Sequence, residues 1–410
     1  LAAVFGYINY RFFKLPTSIG ILLIGLVLSI LLLLFGGDAM KESADEFVTR
    51  IDFNETVMNV MLSFLLFAGA LHVNLGDLRD QKWVVAILAS AGLLISTFLV
   101  GVVSYFVFSW VGLDVPLLWC LVFGALISPT DPVAVLGILK KVGAPKSLET
   151  KITGESLFND GVGVVVYLVL VGLAAGQAEA SVISVSKLFL VEVGGGIILG
   201  AVLGYVAYWM LKTIDNYQVE ILITLALVTG GYQLATSWHL SGPLAMVVAG
   251  LMIGNHGRLM AMSDTTRDHL DLFWELIDEI LNALLFLLIA LVTFVLTWSG
   301  QAFTAGLVLI VVVLASRIIA VSLPVVMLQR ARAFSPGIIR ILTWGGLRGG
   351  ISVALALALP KDGSLDVESR QAILMATYLV VIFSIAVQGL TLKPLISRLL
   401  AQGDFDQNEK

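Results

Sequence analysis

Apolar runs of about 20 residues recur along the whole length of this 410-residue chain. Each is close to what an α-helix rising 1.5 Å per residue needs to cross about 30 Å of hydrocarbon. With 59% hydrophobic and 13% charged residues, little remains from which to build a soluble domain or an extramembrane enzyme body. The expected fold is an all-α polytopic membrane protein, a single integral-membrane domain over residues 1–410.

Reading the runs between charged or Gly/Pro-marked loops predicts thirteen helices. They fall at Leu1–Phe12, Pro16–Phe35, Asn54–Val73, Trp83–Trp110, Val115–Leu139, Thr150–Gly176 and Ser184–Leu211. The remainder lie at Tyr217–Trp238, Ser241–Asn255, Asp268–Thr297, Ala302–Leu328, Pro336–Leu359 and Arg370–Leu399. The first is too short to span, and the chain opens on Leu1 rather than Met, so residues upstream are expected to be missing. No cleavable signal peptide is visible.

Loop Lys and Arg counted on alternate sides of this layout divide sixteen to five, the poorer side holding Lys41, Arg50, Lys187, Lys361 and Arg370. The richer side is expected to be cytoplasmic and to carry the C-terminus. Lys140, Lys141, Lys146 and Lys151 are accounted for as topogenic charges of that side. The single cysteine, Cys120, excludes an intrachain disulfide and reads as a small packing residue. A net charge of −5 says little about partners of a chain mostly inside lipid, and no nucleic-acid partner is expected.

Within the run Pro116–Leu139, Ser128-Pro129-Thr130-Asp131-Pro132 places a carboxylate between two prolines. Proline has no N–H, so Pro129 and Pro132 leave the carbonyls of Ala125 and Ser128 without their intrahelical donors. Polar backbone at that depth survives only when buried in protein or lining a watery cavity. The run is expected to be a broken helix, with Asp131 at or near an ion or proton site.

A second cluster, Gly154-Glu155-Ser156-Leu157-Phe158-Asn159-Asp160-Gly161, lies in the sixth predicted helix. At about 100° per residue, Glu155/Asn159 and Ser156/Asp160 are i,i+4 pairs on adjoining stripes, and together they form one polar face. Two acids one turn apart are costly against lipid, so this face must look into the bundle. Only Arg317 and Arg348 lie deep in spanning runs, and Glu155 should pair with one of them.

Arg348 sits in Trp344-Gly345-Gly346-Leu347-Arg348-Gly349-Gly350. Interior glycine costs a helix about 1 kcal/mol relative to alanine, so the cluster marks unwinding or close backbone approach. If thirteen helices are two blocks of six around a linking helix, the two interrupted helices are each fifth in their block. The blocks would be residues 1–176 and 217–399, the linker 184–211, and residues 400–410 a short cytoplasmic tail. Matched interruptions point to inverted repeats whose broken helices cross at the transport site.

In order along the chain, Ser128-Pro129-Thr130-Asp131-Pro132-Val133-Ala134-Val135, Gly154-Glu155-Ser156-Leu157-Phe158-Asn159-Asp160-Gly161, Ala315-Ser316-Arg317 and Gly345-Gly346-Leu347-Arg348-Gly349-Gly350 resemble the signatures of the monovalent cation:proton antiporters. The branch they resemble is the prokaryotic sodium/proton antiporters related to animal sodium/hydrogen exchangers. The resemblance runs across nearly the whole chain. It implies that Asp160 alternately binds a cation or a proton, with Thr130 and Ser156 supplying oxygen ligands to sodium or another monovalent cation. Asp131 and Asn159 would correspond to the pair at the crossing point, and Glu155 to a structural acid, for which Arg317 is favoured over Arg348. It further implies a homodimer in the cell (inner) membrane serving pH homeostasis, with no cofactor beyond the transported ions.

The chemistry is consistent with those roles. Hard alkali cations prefer oxygen ligands, and a titratable carboxylate lets proton and cation compete for one site. Where a related branch has two consecutive aspartates and moves extra charge, this chain reads Asn159-Asp160, so electroneutral 1:1 exchange is expected. Around Ala68, where some prokaryotic relatives carry an acid in the third helix, this chain offers no carboxylate.

Other readings remain at this level. Thr130 and Ser156 could bond back to their own helix, and the glycine run could serve tight packing alone. His72, His239, His256 and His269 fall near loop ends and suit interfacial roles. Glu275, Asp278 and Glu279 suit a cavity or surface face. A cation-coupled solute symporter would use the same broken helices. A channel lacks a carbonyl-filter signature, and an intramembrane aspartyl protease lacks its Tyr-Asp and Gly-x-Gly-Asp patterns.

Overall fold

The computed structural model describes residues 1–35, 57, 61–176, 182–257, 262–294, 296–329, 334 and 337–401. The start of the predicted helix Asn54–Val73, the acidic loop Asp38–Glu55, most of the tail 400–410 and the loop charges Lys41, Arg50, Arg258, Arg330, Arg332 and Lys410 lie outside them.

The described residues form helices and connecting loops, with no strand among them. In chain order we number α1 (Ala2–Ile8), α2 (Thr17–Phe35), α3 (Leu62–Leu71), α4 (Leu75–Trp110), α5 (Leu117–Ile127), α6 (Val133–Val142), α7 (Lys146–Ala174) and α8 (Val182–Lys212). Next come α9 (Tyr217–Ser237), α10 (Gly242–Met252), α11 (Asp264–Leu291), α12 (Gly300–Leu328), α13 (Ile338–Trp344), α14 (Gly350–Leu357) and α15 (Val367–Leu399). Among the described residues, eight helices are long and apolar enough to cross a membrane, and α3 and α5 are shorter apolar helices. The chain is a multi-pass membrane protein.

Three helices begin a full turn or more earlier than the apolar pattern predicts. α4 starts at Leu75 rather than Trp83, because the Asn74 side chain accepts the backbone N–H groups of Gly76 and Asp77 and caps the helix. The segment that follows, Asp77 to Lys82, is charged, so hydropathy reads it as loop although its backbone is helical. α7 starts at Lys146 directly after Pro145. α11 starts at Asp264 with Ser263 as its cap.

Buried apolar side chains form two main clusters. The larger draws on α4, α5, α7, α12, α14 and α15 and encloses the two helix breaks. The smaller joins α3, α8, α9, α10 and α11 around Trp274, whose ring lies 4.7 Å from that of Phe67. The Trp274 indole N–H donates to Thr224 Oγ1 at 3.1 Å, the polar partner a buried tryptophan requires. Cys120 is buried in the larger cluster. On α8, by contrast, Leu190, Ile198 and Trp209 are exposed, as suits a face turned to hydrocarbon.

Candidate functional site

α5 ends at Ile127 and α6 begins at Val133, and the residues between them are not helical. Proline accounts for the interruption, and the structure shows what satisfies the exposed backbone. Nη1 of Arg348 donates to the carbonyl of Ser128, one of the two that proline leaves without a helical donor, and to that of Pro129 at 3.0 Å. The Ser128 hydroxyl turns back onto the Gly124 carbonyl at 2.7 Å and meets Ser96 Oγ at 2.9 Å.

The second break separates α13 from α14, at the glycine cluster. It lies against the first, and hydrogen bonds run both ways between them. Asp131 N–H donates to the Leu347 carbonyl at 2.7 Å, while Arg348 reaches back to Ser128 and Pro129. The Arg348 N–H finds Ser384 Oγ at 2.8 Å, in a wider turn of α15. Two glycines have a definable steric role here. A Cβ on Gly346 would come within 2.5 Å of Arg317 Nε, and one on Gly349 would collide with the Asp131 side chain. Close approach of polar side chains thus accounts for glycine at both positions.

The polar face of α7 packs onto the first break, and Glu155, Ser156, Asn159 and Asp160 are all buried. Thr130 is held through all three of its polar groups. Its N–H donates to Asn159 Oδ1 at 3.3 Å, its hydroxyl accepts from Asn159 Nδ2 at 2.9 Å, and its carbonyl accepts from the Ser156 hydroxyl. Neither Ser156 nor Thr130 therefore bonds back to its own helix. A serine hydroxyl that gives its proton to a carbonyl keeps oxygen lone pairs for another ligand.

Glu155 pairs with Arg317, Nη1 to Oε1 at 2.5 Å, and Arg317 Nη2 also donates to the Leu342 carbonyl at 3.0 Å. The pair thus ties α7 to α12 and to the end of α13. Of the two candidate arginines, Arg317 takes the acid and Arg348 takes the backbone of the other broken segment.

A narrow crevice lies where the two breaks meet, lined by Thr130, Asp131, Glu155, Ser156, Arg317 and Gly346 among others. Asn159 and Asp160 do not line it. Asp160 lies one helical turn beyond Ser156 on the same stripe of α7, and its carboxylate interacts electrostatically with that of Asp131. Asp131 interacts in the same way with Asp278 of α11. Sequence reasoning placed Asp278 on a cavity or surface face without linking it to Asp131. The i,i+3/i+4 spacing of Asp271, Glu275, Asp278 and Asn282 was the available signal.

The donor set consists of carboxylate, hydroxyl and carbonyl oxygens, with no cluster of three or more His, Cys, Asp or Glu among the described residues. Oxygen donors of this kind suit hard cations. Ala68 is buried, and its carbonyl meets His72 Nδ1 at 2.8 Å.

Comparison with known proteins gives the chain's family. Residues 1–398 match the family model described as sodium/hydrogen exchanger, transmembrane. The chain is 50% identical to the Na(+)/H(+) antiporter NhaP of Pseudomonas aeruginosa, covering 100% of this chain and 97% of that protein. It is 37% identical to the Na(+)/H(+) antiporter NhaH of Halobacillus dabanensis, covering 95% and 93%. These relatives are named as transporters, not enzymes. The sodium proton antiporter MjNhaP1 of Methanocaldococcus jannaschii, whose structure was determined at pH 8, superposes with a TM-score of 0.77 over 97% of this chain and 96% of that one. At 20% identity, that match shows a shared fold. The chain belongs to the sodium/hydrogen exchanger family.

Proposed function

We propose that this protein is a secondary antiporter that exchanges sodium for protons, with lithium or potassium as alternative cations, one cation for one proton and without net charge movement. Asp160 is the carboxylate for which cation and proton compete. Thr130 and Ser156 contribute oxygens, and Asp131 and Asn159 organise the crossing of the broken helices. Glu155 and Arg317 form a structural ion pair, and Arg348 holds the proline-broken segment. The observation that carries this reading is the grip of α7 on Thr130. It places a hydroxyl-bearing break directly against the helix that carries Asp160.

The half-helix ends facing each other across the two breaks support alternating access by movement of one part against the other. We assign the two broken helices to two inverted six-helix repeats, residues 1–176 and 217–399, in a thirteen-helix layout with 184–211 as the linking helix. The cytoplasmic placement of the C-terminus rests on the Lys and Arg asymmetry. Location in the cell (inner) membrane and assembly as a homodimer rest on family membership.

Electroneutrality has a direct test. In proteoliposomes with the membrane potential clamped at different values by potassium and valinomycin, the initial rate of sodium-driven proton movement should stay constant. A rate that follows the imposed potential, or a sodium-driven current, contradicts 1:1 exchange.

A further inference from the structure

Behind the Glu155–Arg317 pair lies a second cavity, between α12, the second helix break and α15, lined by Arg317, Thr343, Gly346, Arg348 and Gln388 and by apolar residues including Phe383. None of the residues to which we assign cation ligation lines it. Three buried polar atoms of the residues that line it have no hydrogen-bond partner among the described residues: Arg317 Nε, Thr343 Oγ1 and Arg348 Nη2. The remaining polar side chain, Gln388, is occupied, accepting from Ser384 Oγ at 2.7 Å and donating to the Trp344 carbonyl at 3.2 Å.

Buried donors without acceptors are costly, and two of these belong to guanidinium groups. Guanidinium nitrogens only donate, so whatever satisfies both must accept two hydrogen bonds. A metal cation cannot do this. The space that a water-sized sphere's centre can occupy is about 10 Å³, close to the least that holds one water.

We propose that this cavity is the site of a single structural water that accepts hydrogen bonds from Arg317 Nε and Arg348 Nη2 and donates one to Thr343 Oγ1. One water then satisfies all three atoms and has three partners itself, the usual number for a buried water. It also adds a link between the two guanidinium groups to the direct contacts that α7 already makes with the broken segment. Arg317 is held to Glu155 on α7, and Arg348 is held to the Ser128 and Pro129 carbonyls beside Thr130. Through the water, the ion pair and the broken helix are fixed relative to one another, with Thr343 as a positioning residue. The effect on transport rests on the function proposed above, whereas the water site does not.

The site is tested by determining the structure of the full chain at a resolution that shows ordered water, with bromide as the only halide. The expected result is one peak within about 2.7–3.2 Å of all three atoms, without a bromide anomalous signal, lost in Thr343→Val and retained in Thr343→Ser. Absence of the peak, an anomalous signal marking a halide, or persistence of the peak in Thr343→Val overturns the proposal. In parallel, half-saturating sodium for exchange should rise several-fold in Thr343→Val and return to the native value in Thr343→Ser. Equal values in all three proteins would overturn the positioning role and leave the water site standing. A chain that fails to exchange sodium at all while showing the peak would refute the proposed function alone.

Discussion

The side-chain amide of Asn159 holds Thr130 at two points, accepting its backbone N–H at 3.3 Å and donating to its hydroxyl at 2.9 Å. The asparagine makes both bonds without a charge, its amide oxygen accepting and its amide nitrogen donating. The residue beside Asp160 is thus engaged in orienting the broken segment.

Thr130→Val removes the hydroxyl and strands Asn159 Nδ2 in a buried position. Leaving such a donor unsatisfied costs about 1–3 kcal/mol. The variant should unfold at a lower temperature in detergent and need more sodium for half-maximal exchange, and Thr130→Ser should restore both. Native behaviour of Thr130→Val would mean that neither the ligand role nor the grip matters.

The Glu155–Arg317 pair predicts strong non-additivity. Removing one partner of a buried pair leaves the other charge stranded, at a cost of about 3–5 kcal/mol. Glu155→Gln and Arg317→Met should each be severely destabilised, and the double variant less so than the sum of the two. A double-mutant cycle by equilibrium unfolding reads this, and simple additivity would show that the pair is not the partnership that matters.

Gly349→Ala and Gly230→Ala should differ in sign. At Gly349 a Cβ collides with the Asp131 side chain, whereas at Gly230, within α9, it meets nothing within 4 Å. The first substitution should abolish exchange or folded yield. The second should raise stability by about 0.5–1 kcal/mol, the helix-propensity difference between the two residues. Equal tolerance at both sites would contradict the close approach of the two breaks.

Competition at one carboxylate fixes the pH dependence of transport. A proton bound at the site excludes the cation, so half-saturating sodium should rise as pH falls. Below the titration midpoint of the site it should rise by about tenfold per pH unit, with the maximal rate less affected, by simple linkage. Initial rates over a sodium and pH grid measure this. A half-saturating sodium concentration independent of pH would require separate proton and cation sites.

The features most legible in the sequence were those with local backbone consequences. Pro129 and Pro132 remove N–H groups wherever they stand, and four glycines around Arg348 weaken any helix, so both interruptions could be placed before the structure was known. The acid Glu155 demanded a counter-charge, and only two deep arginines were available. The residues alone did not divide the labour between them, since that depends on which guanidinium faces α7 once the helices have packed; only the family resemblance favoured Arg317, which is the one that pairs. The same is true of the link between Asp131 and Asp278, which lie on segments far apart in the chain. Hydropathy also mistook the start of α4 for a loop, because it registers depth in the membrane rather than helical backbone. Asn74, an N-cap residue ahead of Leu75, was the signal that would have corrected it.

The central claim is that a single carboxylate, Asp160, carries both ions. The most direct test is the change of internal pH in proteoliposomes when sodium, lithium or potassium is added outside, for the native protein and for Asp160→Asn. We predict cation-evoked proton movement in the native protein and none in the variant with any of the three cations, while the variant remains folded. Proton movement at the native rate in Asp160→Asn would contradict the assignment and move the exchange site elsewhere.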